Sequence, residues 1–210
     1  MQNAPLILFH AVQSRSFGTR VLLEELQADY RVHFLDLKTS EQLGEDYLRI
    51  NPFGKVPAVL HGDLLISEQV ALTIYLADLY PASGLAHAIT NPLRDAYLRW
   101  IAQYGCCFEP AVADKWLKRE AVPPSYLPYR DLDSQLRVLG AQLEKTSYLL
   151  GDAICAADIL WGTALRWLID FDIVPKLPVL QEYVARVRER PAVAKVENLD
   201  NIWIAEQQSR

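Results

Sequence analysis

The stretch Asn51-Pro52-Phe53-Gly54-Lys55-Val56-Pro57-Ala58-Val59, with Glu68-Gln69 beginning eleven residues past Pro57, could grip a small peptide. Pro57 stands at the mouth of an apolar strand, where proline removes a ladder donor and is normally rejected. An X-Pro bond in that position is a candidate for cis, the form that folded chains use for tight turns. Such a turn leaves the N–H and C=O of Val56 facing outward, ready for main-chain pairing with an extended peptide. Glu68 and Gln69 lie near the start of a helix, where free N–H groups and the dipole favour a carboxylate ligand. The chemistry on offer is a clamp for a peptide with a free amine and a free carboxylate.

These residues need a scaffold, and the first ~80 residues supply one. Leu6 to His10 is an apolar run of strand length, followed by a polar loop over Ala11 to Ser16. Val21, Leu22, Leu23 and Leu26 form a helical stripe ahead of a second strand, predicted over Val32 to Leu37. Glu41 to Ile50 reads as a short helix. Ala58–Leu60 and Leu64–Ile66 flank the turn residues His61-Gly62-Asp63 as a hairpin. Ser67 suits the N-cap of a helix running to about Leu79. The order is βαβαββα, with a parallel right-handed first crossover. After Pro81-Ala82-Ser83-Gly84 the strand signal vanishes. Leu93–Val112, Asp131–Glu144, Ala156–Asp170 and Pro178–Arg188 all carry helical periodicity. Strands first and helices only afterwards predict an α/β domain at 1–82 and an all-helical domain at 91–210.

The 210 residues suffice for such a pair, and 51% hydrophobic against 22% charged residues is ordinary for a folded chain. The 21 basic and 26 acidic residues give −5 with no basic run, which argues against a nucleic-acid partner. No apolar run reaches membrane-spanning length and no signal-like N-terminus is present, so a cytoplasmic protein is expected. Cys106, Cys107 and Cys155 form neither a disulfide framework nor a zinc spacing. His10, His33, His61 and His87 lack the i, i+4 spacing of a metal helix and read as structural or solvated. No metal is expected.

Laid out this way, the chain resembles a cytosolic glutathione transferase of bacterial type over essentially its whole length. Ile50 to Val59 matches that family's Asn-Pro-x-Gly-Lys-Val-Pro signature, and Ser67 to Tyr80 follows its helix with an acidic residue and then Tyr-Leu-Ala. Tyr97-Leu98-Arg99-Trp100 with Glu109-Pro110-Ala111 resembles the first helix of its helical domain. Gly151-Asp152 through Ala157-Asp158-Ile159 resembles its Gly-Asp-x-x-(Ser/Thr)-x-Ala-Asp element. Four matches in order make the resemblance specific. It implies a thioredoxin-like first domain, glutathione as co-substrate, and a homodimer.

By that resemblance, Val56 pairs its backbone with the cysteinyl unit of glutathione, Pro57 belongs to the same binding turn, Lys55 lies beside the glycyl end, and Glu68 meets the γ-glutamyl amine. Most relatives have serine after the acidic residue; this chain has Gln69, whose amide can still donate. A loop hydroxyl then stabilises the thiolate. Lowering a thiol pKa by two units is worth about 2.7 kcal/mol, within reach of one or two charge-assisted hydrogen bonds. Counting from the first strand gives Ser14 that role, while counting back from Leu23-Glu24-Glu25 shifts it toward Arg15 or Ser16. Ser16, with Thr19 three residues on, also suits a helix cap. The run Ser14-Arg15-Ser16-Phe17 is similar to a bacterial and fungal serine-type subgroup. The redox branches place cysteine in this loop and none is here, which argues against disulfide reduction by a protein thiol. Tyr104, Phe108 and Trp116 are candidate walls for a small hydrophobic electrophile. Phe53 falls where some relatives carry an aromatic key to the partner subunit. The favoured activity is thiolate attack on that electrophile, serving detoxification; the rival is a non-catalytic binding or regulatory module, for which Gln69 speaks. Cys155, in place of the usual Ser or Thr cap, leaves a weak acceptor that Asp158 can offset.

Overall fold

The apolar run Leu6–His10 forms the inner strand β1 of a four-stranded sheet in the computed structural model, which describes residues 4–209. The chain continues through α1 (Ser16–Glu25), β2 (Tyr30–Phe34), α2 (Glu45–Ile50), β3 (Ala58–His61), β4 (Leu64–Ser67) and α3 (Gln69–Leu79). Helices follow at α4 (Arg94–Gln103), α5 (Glu109–Trp116), α6 (Leu132–Leu143), α7 (Ala156–Asp170), α8 (Pro178–Arg188) and α9 (Pro191–Gln208). A π-helical turn, Tyr104–Phe108, joins α4 to α5, so the single helix predicted over Leu93–Val112 carries a bulge.

The chain divides into two compact units. One is the segment up to Ser83 together with the segment from Glu189 onward; the other is Gly84–Arg188. The helix after Pro191, grouped with the helical half on sequence, packs on α1 in the first unit. The first unit is a thioredoxin-like sheet in the order β2-β1-β3-β4. β1 and β2 run parallel through their α1 crossover, while β3 is antiparallel to both β1 and β4. Leu8, Leu23, Val59, Leu72 and Leu76 are fully buried along this sheet and its helices. On another face Phe9, Leu35, Tyr47 and Ala58 form a second cluster, with Val56 packed against it.

β2 and α3 are bounded differently from the sequence reading. β2 ends at Phe34 because Asp36 starts a turn, its carboxylate accepting from the Lys38 N–H at 2.8 Å while its own N–H donates to Glu41. Helix α3 has Glu68, not Ser67, at its N-cap, since Ser67 is still paired to Ala58 in the sheet.

The second unit is helical. Trp100, Tyr104 and Phe108 pack around Trp161 in edge-to-face and tilted contacts as its aromatic core, and the Trp161 indole N–H donates to the Trp100 carbonyl at 2.9 Å. A Cβ on Gly162 would lie 2.5 Å from Val187, so α7 and α8 cross where only glycine fits. At the start of α7, the Asp158 carboxylate accepts from the N–H groups of Cys155 and Leu149 and from the Tyr183 hydroxyl. The Cys155 thiol donates to it as well. Burial outweighs the bonds that favour its charge and holds the Asp158 carboxyl above the usual carboxylate range. No helix among the described residues is long and apolar enough to cross a membrane.

Candidate functional site

Two structures built by the first unit face the chemistry expected of it: the turn before β3 and the loop after β1. The turn hangs on Asn51, buried at 1% exposure. Its carboxamide oxygen accepts from the Phe53 N–H at 3.2 Å, its NH₂ donates to the Lys55 carbonyl at 2.8 Å, and its own carbonyl accepts from the Gly54 N–H. The Tyr47 hydroxyl donates to the same Lys55 carbonyl at 2.6 Å. Gly54 sits at φ +58, and a Cβ there would meet the Gln42 carbonyl at 2.9 Å, so glycine is required twice over. The Val56-Pro57 bond is cis. Val56 makes no main-chain hydrogen bond to another described residue outside the sheet, while Pro57 is buried and Lys55 exposed.

Beyond β4, Glu68 takes φ 66 at the start of α3, an uncommon backbone region for a non-glycine residue. Its carboxylate is exposed and makes no hydrogen bond or ion pair among the described residues. The first N–H groups of α3 lie beside it, the Leu72 N–H being the one that bonds back to the Glu68 carbonyl. The Gln69 NH₂ donates to the Arg15 carbonyl at 3.1 Å, tying this helix start to the loop after β1.

That loop carries both serines. Helix α1 begins at Ser16 with Arg15 as its N-cap, and no side chain caps it, so neither serine has the capping role weighed on sequence. Ser14 Oγ and Ser16 Oγ are 2.7 Å apart. Ser14 is half-buried, whereas Ser16 has 0% exposure beneath it. The Ser16 N–H donates to Ser14 Oγ, and the Ala11 N–H donates to Ser16 Oγ. The Ala11 carbonyl lies 2.7 Å from Ser14 Oγ and 3.1 Å from Ser16 Oγ.

Behind the serines is a polar cluster that sequence reading missed. Ser16 Oγ lies 2.7 Å from His10 Nδ1, and His10 Nε2 lies 3.0 Å from Asp200 Oδ1 on α9. Arg20 of α1 pairs with the same carboxylate oxygen, and its guanidinium covers the Phe34 ring, which stacks on Trp203. From the sequence His10 reads as structural or solvated, since it lacks the spacing of a metal helix. The one available signal is a histidine at a fully buried strand position, which needs polar partners. Asp200, 190 residues away, gives no sequence signal at all.

The aromatic residues offered as pocket walls divide. Tyr104 and Phe108 are 1% and 0% exposed within the core around Trp161, whereas Trp116 is 60% exposed. No group of three or more His, Cys, Asp and Glu among the described residues is arranged to hold a metal ion.

A four-stranded mixed sheet of this order, with a cis-proline turn before β3, defines a thioredoxin-like class of domain. Comparison with known families and structures agrees with that geometry. Residues 4–78 match the glutathione S-transferase N-terminal domain and residues 129–191 its C-terminal domain. Glutathione S-transferase GstA of Escherichia coli O157:H7 is 28% identical, the alignment covering 89% of this chain and 94% of GstA. The disulfide-bond oxidoreductase YfcG of Escherichia coli K12 is 26% identical, over 90% of this chain and 92% of its own. Among solved structures, a glutathione transferase from Methylococcus capsulatus superposes with a TM-score of 0.80 at 27% identity, over 94% of this chain and 99% of its own. A sphingomonad glutathione S-transferase complexed with glutathione superposes with a TM-score of 0.75 at 27% identity, over 93% and 98%. The chain belongs to the glutathione S-transferase family. It is an enzyme of that family, with glutathione as co-substrate.

Proposed function

We propose that the first unit holds glutathione between the Val56-Pro57 turn and the start of α3, and that the Ser14 hydroxyl donates to its thiolate for attack on a small apolar electrophile. The observation that carries the choice of serine is burial. Ser14 keeps accessible surface, while Ser16 is sealed below it with Oγ 2.7 Å away. The clamp reading rests on the Val56 main chain, which makes no hydrogen bond to another described residue outside the sheet, the unengaged Glu68 carboxylate for an ammonium group, and the N–H groups of α3 for a carboxylate. Lys55, exposed at the turn, serves the glycyl carboxylate. Gln69, the feature that spoke for a non-catalytic module, is engaged in bracing the loop and contributes to the site through Arg15.

Ser14→Ala is the test. The ultraviolet absorbance of bound thiolate should vanish at neutral pH and kcat/KM toward a model electrophile fall about 100-fold, the scale of losing one preorganised donor. Calorimetric affinity for S-methylglutathione should stay within a few-fold. Thiolate absorbance that persists in Ser14→Ala would sink the assignment. A homodimer is part of the same reading: Phe53 is 74% exposed and Ile66, Ala71, Ile74 and Leu79 line an open apolar depression. Light scattering on the purified chain would reject it by returning a monomer mass at micromolar concentration.

A further inference from the structure

Asp200, His10, Ser16 and Ser14 form one continuous hydrogen-bonded line from α9 to the surface of the hydroxyl loop. The geometry points to His10 as the acceptor of the thiol proton of bound glutathione, delivered through Ser14 and Ser16, with Asp200 as the residue that positions it. This rests on the glutathione reading above.

The direction of each bond follows from valence. An ionised carboxylate only accepts, so Asp200 fixes the imidazole proton on Nε2 and leaves Nδ1 bare. Nδ1 therefore accepts from the Ser16 hydroxyl at 2.7 Å. Ser16 Oγ, already taking the Ala11 N–H, then accepts from the Ser14 hydroxyl. Ser14 Oγ accepts the Ser16 N–H and has one lone pair left to offer outward. The Ala11 carbonyl is the competing resting place for the Ser14 proton.

When a thiol meets that lone pair, three protons can move one step each. The S–H bond breaks and its proton joins Ser14 Oγ; the former Ser14 proton joins Ser16 Oγ; the former Ser16 proton joins His10 Nδ1. The products are a thiolate and an imidazolium, with no oxidant or further reactant needed. Every hydroxyl now points the other way, so His10 donates to Ser16, Ser16 to Ser14, and Ser14 to the sulfur. One shift both removes the proton and creates the donor that stabilises the anion. The imidazolium faces Asp200 from α9 and the edge of the Phe34 ring from β2. Arg20 from α1 shares that carboxylate, with Tyr30 and Glu24 beyond it. The serine-histidine-aspartate line is not a hydrolase triad, because Ser16 has no surface that an acyl group could reach.

The experiment is a proton inventory on the wild-type chain. Glutathione is titrated by calorimetry in buffers of different ionisation enthalpy at neutral pH, with S-methylglutathione as the blank and thiolate absorbance read in parallel. Thiolate formation with almost no proton released beyond the blank is the expected result. Release of about one proton per thiolate formed overturns the relay, because the proton has then left for solvent. Binding without thiolate overturns it equally. No glutathione binding overturns the parent reading and the relay with it, while intact S-methylglutathione binding keeps the parent reading standing on its own.

Two variants add an independent check. In Asp200→Asn the amide can donate to Nε2, moving the imidazole proton to Nδ1 where it blocks the line. His10→Asn keeps a polar atom near the Nδ1 position but cannot take a proton. Each, with a melting curve confirming its fold, should release the missing proton for whatever thiolate it forms. Each should also lose about 100-fold in kcat/KM while the affinity for S-methylglutathione holds. A wild-type proton inventory and pH–rate profile in both variants would refute the proposal.

Discussion

Asn51→Ala should loosen the glutathione clamp without touching any residue that meets the ligand. The asparagine makes two side-chain hydrogen bonds across the turn, to the Lys55 carbonyl and from the Phe53 N–H. A neutral hydrogen bond contributes about 1 kcal/mol net, so losing two costs about 2 kcal/mol before relaxation. The penalty does not grow much beyond that. The Lys55 carbonyl keeps the Tyr47 hydroxyl, and the N–H of exposed Phe53 can turn to water. Tyr47→Phe removes the other donor and alone should cost about 1 kcal/mol. The double variant should cost more than the sum, because the Lys55 carbonyl then loses both its side-chain donors. Urea denaturation would read the stabilities, and calorimetry with S-methylglutathione the affinity, expected to weaken about tenfold in Asn51→Ala. Additive losses in the double variant, or an affinity unchanged while stability falls, would refute the idea that this shared carbonyl sets the Val56 main chain for its ligand.

Two further outcomes concern stability. Cys155→Ser should raise the melting temperature by about 2 °C, since a hydroxyl is a stronger acceptor than a thiol for the Asp158 N–H of this capping box; a fall of that size would contradict the capping account. Burial pushes the Glu24 carboxyl up, but the bonds from Lys195 and Tyr30 outweigh it and hold the group below 4.5. Its contribution is therefore whole above 4.5 and disappears as pH falls through the lower folded-state value. The difference in urea midpoint between wild type and Glu24→Gln should be constant above about pH 5.5 and shrink in acid; a difference that widened in acid would reverse the sign.

The turn before β3 was legible in sequence because its parts are local. Asn51 to Val59 carries its own turn chemistry, and the cis Val56-Pro57 bond follows from proline at a strand mouth. The helices Ala156–Asp170 and Pro178–Arg188 were equally readable, bounded by Asp158 capping and by proline. The N-cap of α3 was not, because pairing of Ser67 with Ala58 overrides its local preference for a cap. Tyr104 and Phe108 read as pocket walls since aromatic character cannot distinguish a wall from a core, and the contacts with Trp161 settle their surroundings. The polar cluster was hidden for a different reason. His10, Arg20 and Asp200 meet only in three dimensions, and no period or spacing joins the ends of the chain.

That meeting also sets an order in time. His10 and Arg20 are made before Asp200, which follows 180 positions after Arg20. At a synthesis rate of roughly 5–20 residues per second, the interval is roughly 10–40 s. Over that interval the sheet can close on its own leucines and the proline turn can form. The buried imidazole and guanidinium still have no carboxylate to share, and nothing yet fixes which way the two serine hydroxyls point. A nascent chain that has made the turn but not α9 lacks that carboxylate, and under the proposed relay α9 is the part that completes the acid–base line.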